Sequence, residues 1–331
     1  MKYRPLGSTG IDVSEISLGV WQLGDPDYWG ESAAGNAKEI IGTAIDQGIN
    51  LFDTAEMYGS GESERTLAKA LGPNRDKVLI ASKVADSHCR PEDVRAACED
   101  SLRHLATDRI DLYQVHWPSR VIPFADTYGE LKRLQDEGKI RAIGVSNFGA
   151  TQLDEWAQLA PPASNQLGYN LLFRAIEFDI VPACERINLG ILAYMPLMQG
   201  LLSGRWDTVE EIPESRRRSR HFSSASEIVR HGEAGHEEVT LKTVRALRGL
   251  AGEFGHPLAT VATAWLLSRP AVTTVIMGAS RGDQVVRNVE AASVTLPPGA
   301  IARLDAASAA LKEAMGPNAD QWQGGENSRV R

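Results

Sequence analysis

The chain has 331 residues, of which 43% are hydrophobic and 24% charged, the balance of a globular protein with a large core. Its formal net charge of -8 argues against a nucleic-acid partner, because such binding needs clustered lysine and arginine to displace counterions. No apolar stretch reaches the roughly 20 residues of a membrane-spanning helix, and the first residues have no apolar signal-peptide core. The three cysteines form no Cys-x-x-Cys pair, so we expect a cytoplasmic protein without a disulfide framework.

Short apolar runs alternate along the chain with longer segments of helical spacing. Each run is almost continuous in Val, Ile, Leu, Ala and Tyr, as expected of parallel strands that are covered on both faces. The eight runs that we predict as strands are 16–20, 50–54, 78–83, 110–116, 140–146, 164–168, 190–194 and 273–277.

Helices are predicted between these strands. In the first of them Ile40, Ile41 and Ala44 fall on one face, and Gly48 then ends the helix. The predicted helices are 37–47, 63–71, 91–105, 126–137, 151–159, 179–187, 237–254, 258–267 and 283–291.

Regular alternation of strand and helix predicts a parallel sheet built through right-handed crossovers. Eight such units in about 290 residues match a (β/α)8 TIM barrel better than two separate domains. No Pro/Gly/Ser-rich linker divides the chain, so we expect a single domain over residues 1–331. Residues 2–6 and 13–17, around the turn at 7–10, are predicted to pair as a hairpin that closes the barrel floor.

Two segments interrupt the alternation. Residues 202–236, called here the excursion, are charged and are predicted to pass over one face of the barrel. Their histidines have no ligand pair at helical spacing, so no metal site is predicted. Residues 309–331, called here the tail, are predicted as a short helix followed by a Gly/Asn/Gln-rich segment over the barrel mouth.

Four ionisable side chains fall where the active site of a TIM barrel lies, at the carboxyl ends of the strands. Asp53, Lys83 and His116 end the second, third and fourth strands, and Tyr58 follows Asp53 in the next loop. Each also has a plain structural explanation: a helix cap, a solvated lysine, a hydrogen-bonded core histidine and an aromatic cover for the rim. Their placement on neighbouring strands favours one shared site.

These four side chains suit the reduction of a carbonyl, which needs a hydride on carbon and a proton on oxygen. A phenol such as Tyr58 has a pKa of about 10, and a nearby ammonium such as Lys83 is expected to lower it toward the working range. Asp53 would hold that ammonium in place, and His116 would orient the substrate oxygen. A barrel hydrolase that uses Asp53 and His116 leaves the other two residues without a role.

The residues at this point resemble the aldo-keto reductase superfamily. The sequence NLFDTAEMYG at 50–59 resembles its first signature, and GKIRAIGVSNF at 138–148 resembles a further one. Lys83, and His116 in Val-His-Trp-Pro, complete the Asp/Tyr/Lys/His tetrad of the superfamily. The match extends over residues 1–310 and is closest in type to bacterial inositol dehydrogenases and general-stress reductases. It implies an NAD(P)H-dependent oxidoreductase that interconverts an aldehyde or ketone with its alcohol and uses Tyr58 as general acid and base. Sugar and polyol carbonyls are among the candidate substrates.

The resemblance also assigns cofactor contacts. Tyr194 is expected to stack on the nicotinamide, and the guanidinium of Arg281 suits the 2′-phosphate of NADP, which we prefer while leaving NAD open. The arginine run at 216–220 would either close over the cofactor phosphates or form a solvated loop. The assigned positions are Gly19, Val20, Trp21, Asp53, Ser146, Asn147, Gln166, Tyr194, Met195, Pro196, Leu197, Gly200, Leu202, Ser203, Gly204, Arg205, Gly278, Ser280, Arg281, Gln284 and Asn288.

Aromatic residues near the strand ends predict the substrate pocket. Trp21, Trp29, Trp117 and Phe148 are expected to line it, and such walls suit sugar faces, aromatic aldehydes or larger ketones. Trp322, Arg329 and Arg331 of the tail are expected to fold over it. A second interpretation stays open, because the superfamily includes channel-associated subunits: a cofactor-sensing interaction module with little turnover.

Overall fold

The computed structural model describes residues 1–29, 32–225 and 228–331. Its strands are β1 (Tyr3–Pro5), β2 (Asp12–Ser14), β3 (Ile16–Gly19), β4 (Leu51–Asp53), β5 (Leu79–Val84), β6 (Ile110–Val115), β7 (Ile140–Ser146), β8 (Asn165–Gly168), β9 (Ile191–Tyr194) and β10 (Val272–Met277). Within the described part of the chain, strands β3 to β10 form a closed parallel barrel, in which β10 pairs with both β3 and β9. The predicted (β/α)8 barrel is confirmed.

Helices cover the outside of the barrel. They are α1 (Pro26–Trp29), α2 (Ser32–Gly35), α3 (Ala37–Asp46), α4 (Glu62–Leu71), α5 (Pro91–His104), α6 (Phe124–Asp136), α7 (Ala150–Ala157), α8 (Ile180–Arg186), α9 (Glu237–Glu253), α10 (Leu258–Leu267), α11 (Gly282–Ala291) and α12 (Pro298–Met315). The apolar face predicted for α3 is buried through Ile40, Ile41 and Ala44. None of the helices in the described residues is both long and apolar enough to cross a membrane.

The tail differs from its prediction. The helix expected to begin near residue 309 begins at Pro298 instead and continues to Met315. Proline is favoured in the first turn of a helix, where its missing N–H has no intrahelical partner to lose. Leu304 and Leu311 lie on the buried side of this helix and join the main core, which explains why the helix extends well ahead of the tail.

The predicted N-terminal hairpin is confirmed. β1 and β2 pair antiparallel, and Leu6, Ile11 and Val13 pack against side chains inside the barrel. One of those side chains belongs to Leu51, the first residue of β4, whereas Asp53 is its last residue. The hairpin therefore closes the end of the barrel opposite to the carboxyl ends of the strands.

Candidate active site

Lys83 is a fully buried lysine on β5 whose ammonium has three hydrogen-bond partners. Its Nζ atom donates to Asp53 Oδ1 at 2.7 Å, to the carbonyl oxygen of Thr54 at 2.7 Å and to the Tyr58 hydroxyl at 3.3 Å. An ammonium has three N–H bonds, so the donors of Lys83 are satisfied. This arrangement joins three of the four predicted catalytic residues.

Asp53, at the end of β4, holds two of the site residues at once. Its second carboxylate oxygen, Oδ2, accepts a hydrogen bond of 2.7 Å from Nε2 of Gln166 on β8, across the barrel. A buried carboxylate is stable only when it is paired and hydrogen-bonded. Asp53 meets both conditions through Lys83 and Gln166.

The position of Tyr58 depends on the glycine that follows it. Gly59 has φ of 58°, and a Cβ added there would lie 1.8 Å from the carbonyl oxygen of Gly24. Only glycine fits this close approach, so the turn that presents Tyr58 requires the glycine of the motif. The phenol ring then stacks on the indole of Trp21, with 5.5 Å between ring centroids.

The pKa of Tyr58 differs from the sequence-based expectation. Burial raises it, the charge of Lys83 lowers it, and the charge of Asp53 raises it again. The net direction is upward from 10.0, because the loss of hydration outweighs the effect of Lys83. Tyr58 therefore holds its proton at neutral pH.

His116 follows β6 and faces Tyr58 edge-on, with 5.6 Å between ring centroids. Its pKa lies well below the ordinary 6.5, because the ring is buried and because the charges of Lys83 and Arg329 oppose protonation. Its Nδ1 atom is buried and has no hydrogen-bond partner among the described residues. The imidazole is therefore neutral at physiological pH and able to hydrogen-bond a substrate oxygen.

A cavity of about 1110 Å³ extends from Tyr58 and His116 to Gln284 and Asn288 on α11. This volume exceeds the roughly 300–1,000 Å³ that is typical of small-molecule pockets. The cavity therefore has room for a dinucleotide together with a small substrate.

Near the tetrad, hydrogen bonds fix the predicted nicotinamide contacts. Ser146 Oγ donates to the carbonyl oxygen of Gln166 at 2.9 Å, and Asn147 Nδ2 donates to the carbonyl oxygen of His116 at 3.0 Å. The Tyr194 hydroxyl donates to Asn147 Oδ1 at 2.8 Å. Because all five residues line one cavity, this side of it is held in place by residues in or next to β6, β7, β8 and β9.

At the far end of the cavity lie Ser280, just before α11, and Gln284 in its first turn, whereas the N–H of Gly282 donates to Glu39 Oε1 at 3.0 Å. Arg281, predicted to meet the 2′-phosphate, is exposed and does not line the cavity; its Nε atom lies 3.0 Å from Asp283 Oδ1. Arg287, one turn later, does line it, and its guanidinium lies 2.7 Å from Asp283 Oδ2. The resemblance assigned Arg281 to the cofactor and did not assign Arg287, so the arginine that lines the cavity here differs from the expected one.

Most of the positions assigned to the cofactor line the cavity: Gly19, Trp21, Asp53, Ser146, Asn147, Gln166, Tyr194, Met195, Pro196, Leu197, Gly200, Ser203, Arg205, Gly278, Ser280, Gln284 and Asn288. Besides Arg281, three positions do not. Val20 and Leu202 are fully buried in the core, and Gly204, with φ of 71°, packs under Arg248 and Leu258.

Three of the four predicted substrate residues, Trp21, Trp29 and Trp117, line the cavity. Phe148 does not, and this corrects the expectation from its place beside a strand end. Its side chain is completely buried against Phe124 of α6 and Trp156 of α7, at centroid distances of 5.1 and 5.6 Å. It faces the helical layer instead of the mouth, because these apolar rings bury it on the outer side of β7.

The excursion and the tail together form one wall of the cavity. Arg216, Arg218 and Arg230 of the excursion line it, as do Trp322 and Arg329 of the tail. The tail therefore reaches the mouth, as predicted. No periodic or motif signal identified most of the other lining residues, among them Gln22, Asp25, Met57, His256, Thr260 and Thr263.

Arg220, from the arginine run at 216–220, and Arg331, from the tail, have a structural role instead. The guanidinium of Arg220 donates to Glu233 at 2.9 Å and to the carbonyl oxygens of Asn318 and Met315 at 2.8 and 2.9 Å. It thereby joins the excursion to the tail. Arg331 does not line the cavity; its carbonyl oxygen accepts the N–H of Thr151 at the start of α7.

Comparison with known proteins agrees with this geometry. A model described as the aldo/keto reductase family matches residues 15–309. The chain is 36% identical to the aldo-keto reductase YhdN of Bacillus subtilis, over 86% of this chain and 87% of the relative. It is 30% identical to the NADH-specific methylglyoxal reductase of Escherichia coli, over 89% of this chain and 95% of the relative.

Two solved structures are similar over almost the whole chain. The glycerol dehydrogenase AKR11B4 from Gluconobacter oxydans has a TM-score of 0.81 and 31% identity, with 96% of each chain covered. An aldo-keto reductase from Klebsiella pneumoniae in complex with NADPH has a TM-score of 0.71 and 30% identity, with 92% of this chain and 95% of that chain covered.

Proposed function

The chain belongs to the aldo/keto reductase family and is an NAD(P)H-dependent oxidoreductase of small carbonyl compounds, and on that premise we propose that Tyr58 is its general acid and base. The observation on which this rests is the contact of 3.3 Å between the Tyr58 hydroxyl and the buried ammonium of Lys83, inside a cavity that His116 also lines. A nicotinamide bound in this cavity supplies the hydride to the carbonyl carbon, or accepts it in the reverse reaction.

Tyr58 delivers the proton. Its raised pKa keeps the phenol protonated, so it can donate to the substrate oxygen as negative charge develops there. The ammonium of Lys83 stays beside the resulting phenolate and stabilises it. Asp53 keeps that ammonium in place, and its own charge is balanced by the same contact.

His116 positions the substrate. As a neutral imidazole it can donate one hydrogen bond to the carbonyl oxygen. Because it carries no charge, it does not compete with Lys83 for the phenolate. An oxygen between the phenol and the imidazole is then held by two donors from different loops. Trp21 and Trp117 provide apolar walls that restrict water at this point.

NADPH is the cofactor that the site supports best. Ser146, Asn147, Gln166 and the ring of Tyr194 would hold the nicotinamide end, and Ser280, Gln284 and Asn288 would hold the adenosine end. These groups line one cavity, and its volume has room for a dinucleotide. Arg287 favours a 2′-phosphate, because a guanidinium binds phosphate through paired N–H donors.

The substrates are proposed to include small aldehydes and ketones, with sugar and polyol carbonyls among them. Relatives named for methylglyoxal reduction and glycerol oxidation support this range. We also propose that the enzyme works in the cytoplasm, since its three cysteines are free buried thiols that need no oxidising compartment.

Two measurements test the function. The first is titration with NADPH and with NADH, in which quenching of tryptophan fluorescence reports binding, and the second is turnover of a panel of carbonyl compounds. Quenching by NADPH together with NADPH-dependent reduction of at least one carbonyl is the expected result. Tight nucleotide binding without turnover of any carbonyl would instead favour a cofactor-sensing interaction module.

A further inference from the structure

The side chain of Gln321, in the tail, contacts Tyr194 from outside the cavity. Gln321 is completely buried and does not line the cavity, whereas Tyr194 and Met195 do. The Nε2 atom of Gln321 donates to the hydroxyl oxygen of Tyr194 at 3.2 Å and lies 3.5 Å from the sulfur of Met195. Gln321 therefore supports the wall of the cavity and would not itself touch a ligand bound there.

The Tyr194 hydroxyl has a second partner, Asn147. It donates to Asn147 Oδ1 at 2.8 Å. A phenolic hydroxyl has a single proton, and it accepts the hydrogen bond from Gln321, so this proton is directed to Asn147. Two hydrogen bonds from different segments of the chain therefore hold the hydroxyl, and with it the ring, in one position.

The orientation of the Asn147 amide follows from this contact. With Oδ1 toward Tyr194, its Nδ2 atom donates to Ser146 Oγ at 3.1 Å. Ser146 Oγ in turn donates to the carbonyl oxygen of Gln166 at 2.9 Å. The hydrogen bonds run in one direction from the tail to β8, so the direction of each bond fixes that of the next.

The backbone around Gln321 is held by two separate sets of contacts. The preceding residue, Asp320, is completely buried, and its carboxylate accepts the N–H of Trp322 at 3.1 Å and the Nε–H of Arg329 at 2.9 Å. The carbonyl oxygen of Gln321 itself accepts the backbone N–H of Arg220 in the excursion at 2.9 Å. The amide is therefore presented to Tyr194 by a fixed segment of the tail.

Room for this contact depends on Gly168, the last residue of β8. A Cβ added at Gly168 would lie 2.6 Å from Gln321 Nε2 and 3.3 Å from the hydroxyl oxygen of Tyr194. A glycine within a strand often marks a close approach of this kind. A side chain at this position would displace the Gln321 amide from the hydroxyl.

The other polar atom of the Gln321 amide does not stabilise the fold. Its Oε1 atom is buried and has no hydrogen-bond partner among the described residues. An unpaired buried oxygen costs free energy, which offsets the gain from the one hydrogen bond that the amide donates to Tyr194. The amide therefore adds little to stability, and its main effect is on the position of Tyr194.

We propose that Gln321 is a positioning residue for the nicotinamide end of the cofactor. Through the Tyr194 hydroxyl it holds the Tyr194 ring and the Asn147 amide in the orientation in which they receive the nicotinamide. The inference rests on the proposed function, in which these two residues bind that end of the cofactor. It gives the tail a role in cofactor binding in addition to forming a wall of the cavity.

Nucleotides with and without a nicotinamide ring test the proposal. The intact protein is titrated by calorimetry with NADPH and with 2′-phospho-ADP-ribose, which lacks only the nicotinamide. NADH and ADP-ribose form the corresponding pair if the protein prefers NADH. Gln321→Met removes both the donor and the unpaired oxygen at similar length, so the fold should tolerate it. We expect the Kd for NADPH to rise about threefold to tenfold, the usual effect of one hydrogen bond, while the Kd for 2′-phospho-ADP-ribose changes by less than about twofold.

A double-mutant cycle tests whether the effect passes through the Tyr194 hydroxyl. Tyr194→Phe keeps the ring and removes the hydroxyl. Gln321→Met added to Tyr194→Phe should change the Kd for NADPH by less than about twofold, because the contact is already lost. Effects that multiply in the double variant would overturn the proposed path. Ser328→Ala is the control, since Ser328 Oγ donates to Asn318 Oδ1 at 2.8 Å within the tail, and it should leave the ratio of the two Kd values unchanged.

Tyr194→Leu separates a failure of this inference from a failure of the proposed function. If this variant leaves the ratio of the two Kd values as in the native protein, the nicotinamide does not lie on the Tyr194 ring, and both are overturned. If Tyr194→Leu weakens NADPH binding selectively and Gln321→Met does not, only the role of Gln321 is overturned. The same conclusion follows if Gln321→Met weakens the binding of both nucleotides equally, because the effect is then a general loosening of the tail.

Discussion

The Nζ atom of Lys83 lies 3.3 Å from the hydroxyl oxygen of Tyr58, and both groups are buried. The pKa of Tyr58 is nonetheless raised, because burial disfavours the phenolate more than the ammonium favours it. The pKa of Lys83 is raised as well, since Asp53 and Tyr58 together outweigh its own burial. The resting site therefore holds a protonated phenol beside a charged ammonium, the state that reduction of a carbonyl requires.

Replacement of Tyr58 by phenylalanine removes the proton donor and keeps the ring on Trp21. We expect kcat for carbonyl reduction to fall by roughly 10²–10⁴-fold, the usual contribution of general acid catalysis. The dissociation constant of NADPH, measured by fluorescence titration, should change little. Tyr128→Phe is the control, because Tyr128 packs on Trp156 away from the cavity. Full activity in the Tyr58 variant would show that another group donates the proton.

The pH dependence follows from the direction of the Tyr58 shift. A phenol whose pKa lies above 10.0 stays protonated throughout the neutral and mildly alkaline range. We therefore expect kcat/KM for reduction to show no fall from this group between about pH 7 and pH 9. Lys83→Met removes a charge that lowers the pKa of Tyr58, so any alkaline decline should move to higher pH. A decline centred below about pH 9 in the native enzyme would contradict the raised pKa.

Asp283 lies between two arginines at the far end of the cavity, 3.0 Å from Arg281 and 2.7 Å from Arg287. Asp283→Asn removes a negative charge next to the proposed 2′-phosphate contact. We expect it to tighten NADPH binding severalfold with little effect on NADH, since only NADPH has that phosphate. Arg287→Gln should weaken NADPH binding with little effect on NADH. Dissociation constants for both nucleotides check this, and equal effects on the two would place the 2′-phosphate elsewhere.

Arg220 joins the excursion to the tail through a side chain that is 7% exposed. Arg220→Gln leaves Glu233 and two carbonyl oxygens without their donor. We expect the free energy of unfolding to fall by about 3 kcal/mol, as for other broken buried ion pairs. Urea denaturation measures this, and limited proteolysis should show earlier cleavage in the excursion. The control is Arg303→Gln, an exposed pair with Glu253 that should change stability by less than about 1 kcal/mol.

His221 makes stability depend on pH. It is fully buried, its Nε2 atom lies 2.9 Å from the carbonyl oxygen of Leu172, and burial lowers its pKa to about 4. The unfolded chain takes up this proton first as the pH falls from about 6.5, so stability is lost progressively down to about pH 4.

The loss from His221 amounts to about 3 kcal/mol over that range. Urea unfolding at a series of pH values should show a shallower loss in His221→Gln than in the native protein. The carboxylates and His116 titrate in both proteins, so the difference between the two curves isolates His221. Parallel curves would mean that its folded pKa is near the ordinary value.

The sequence by itself determined the barrel and the identity of its reacting groups. Near-continuous apolar runs are required wherever a strand is covered on both faces, so the eight runs predicted β3 to β10 to within one residue at each end. Asp53, Lys83 and His116 could be placed together because parallel strands of a barrel end at one mouth. Position 59 must be glycine because its backbone lies close to the carbonyl oxygen of Gly24. The glycine after Tyr58 can therefore be recognised as part of a short sequence motif.

The tertiary structure alone decided the burial and the contacts of individual side chains, because these depend on which distant segment packs against each residue. Phe148 follows a strand end yet belongs to the core, because Phe124 and Trp156 are brought against it. Burial reversed the expected direction of the Tyr58 pKa, since desolvation depends on the surrounding atoms and not on the nearest charge alone. Arg329 meets Trp117 across 212 positions of the chain, and no local period or spacing encodes such a contact.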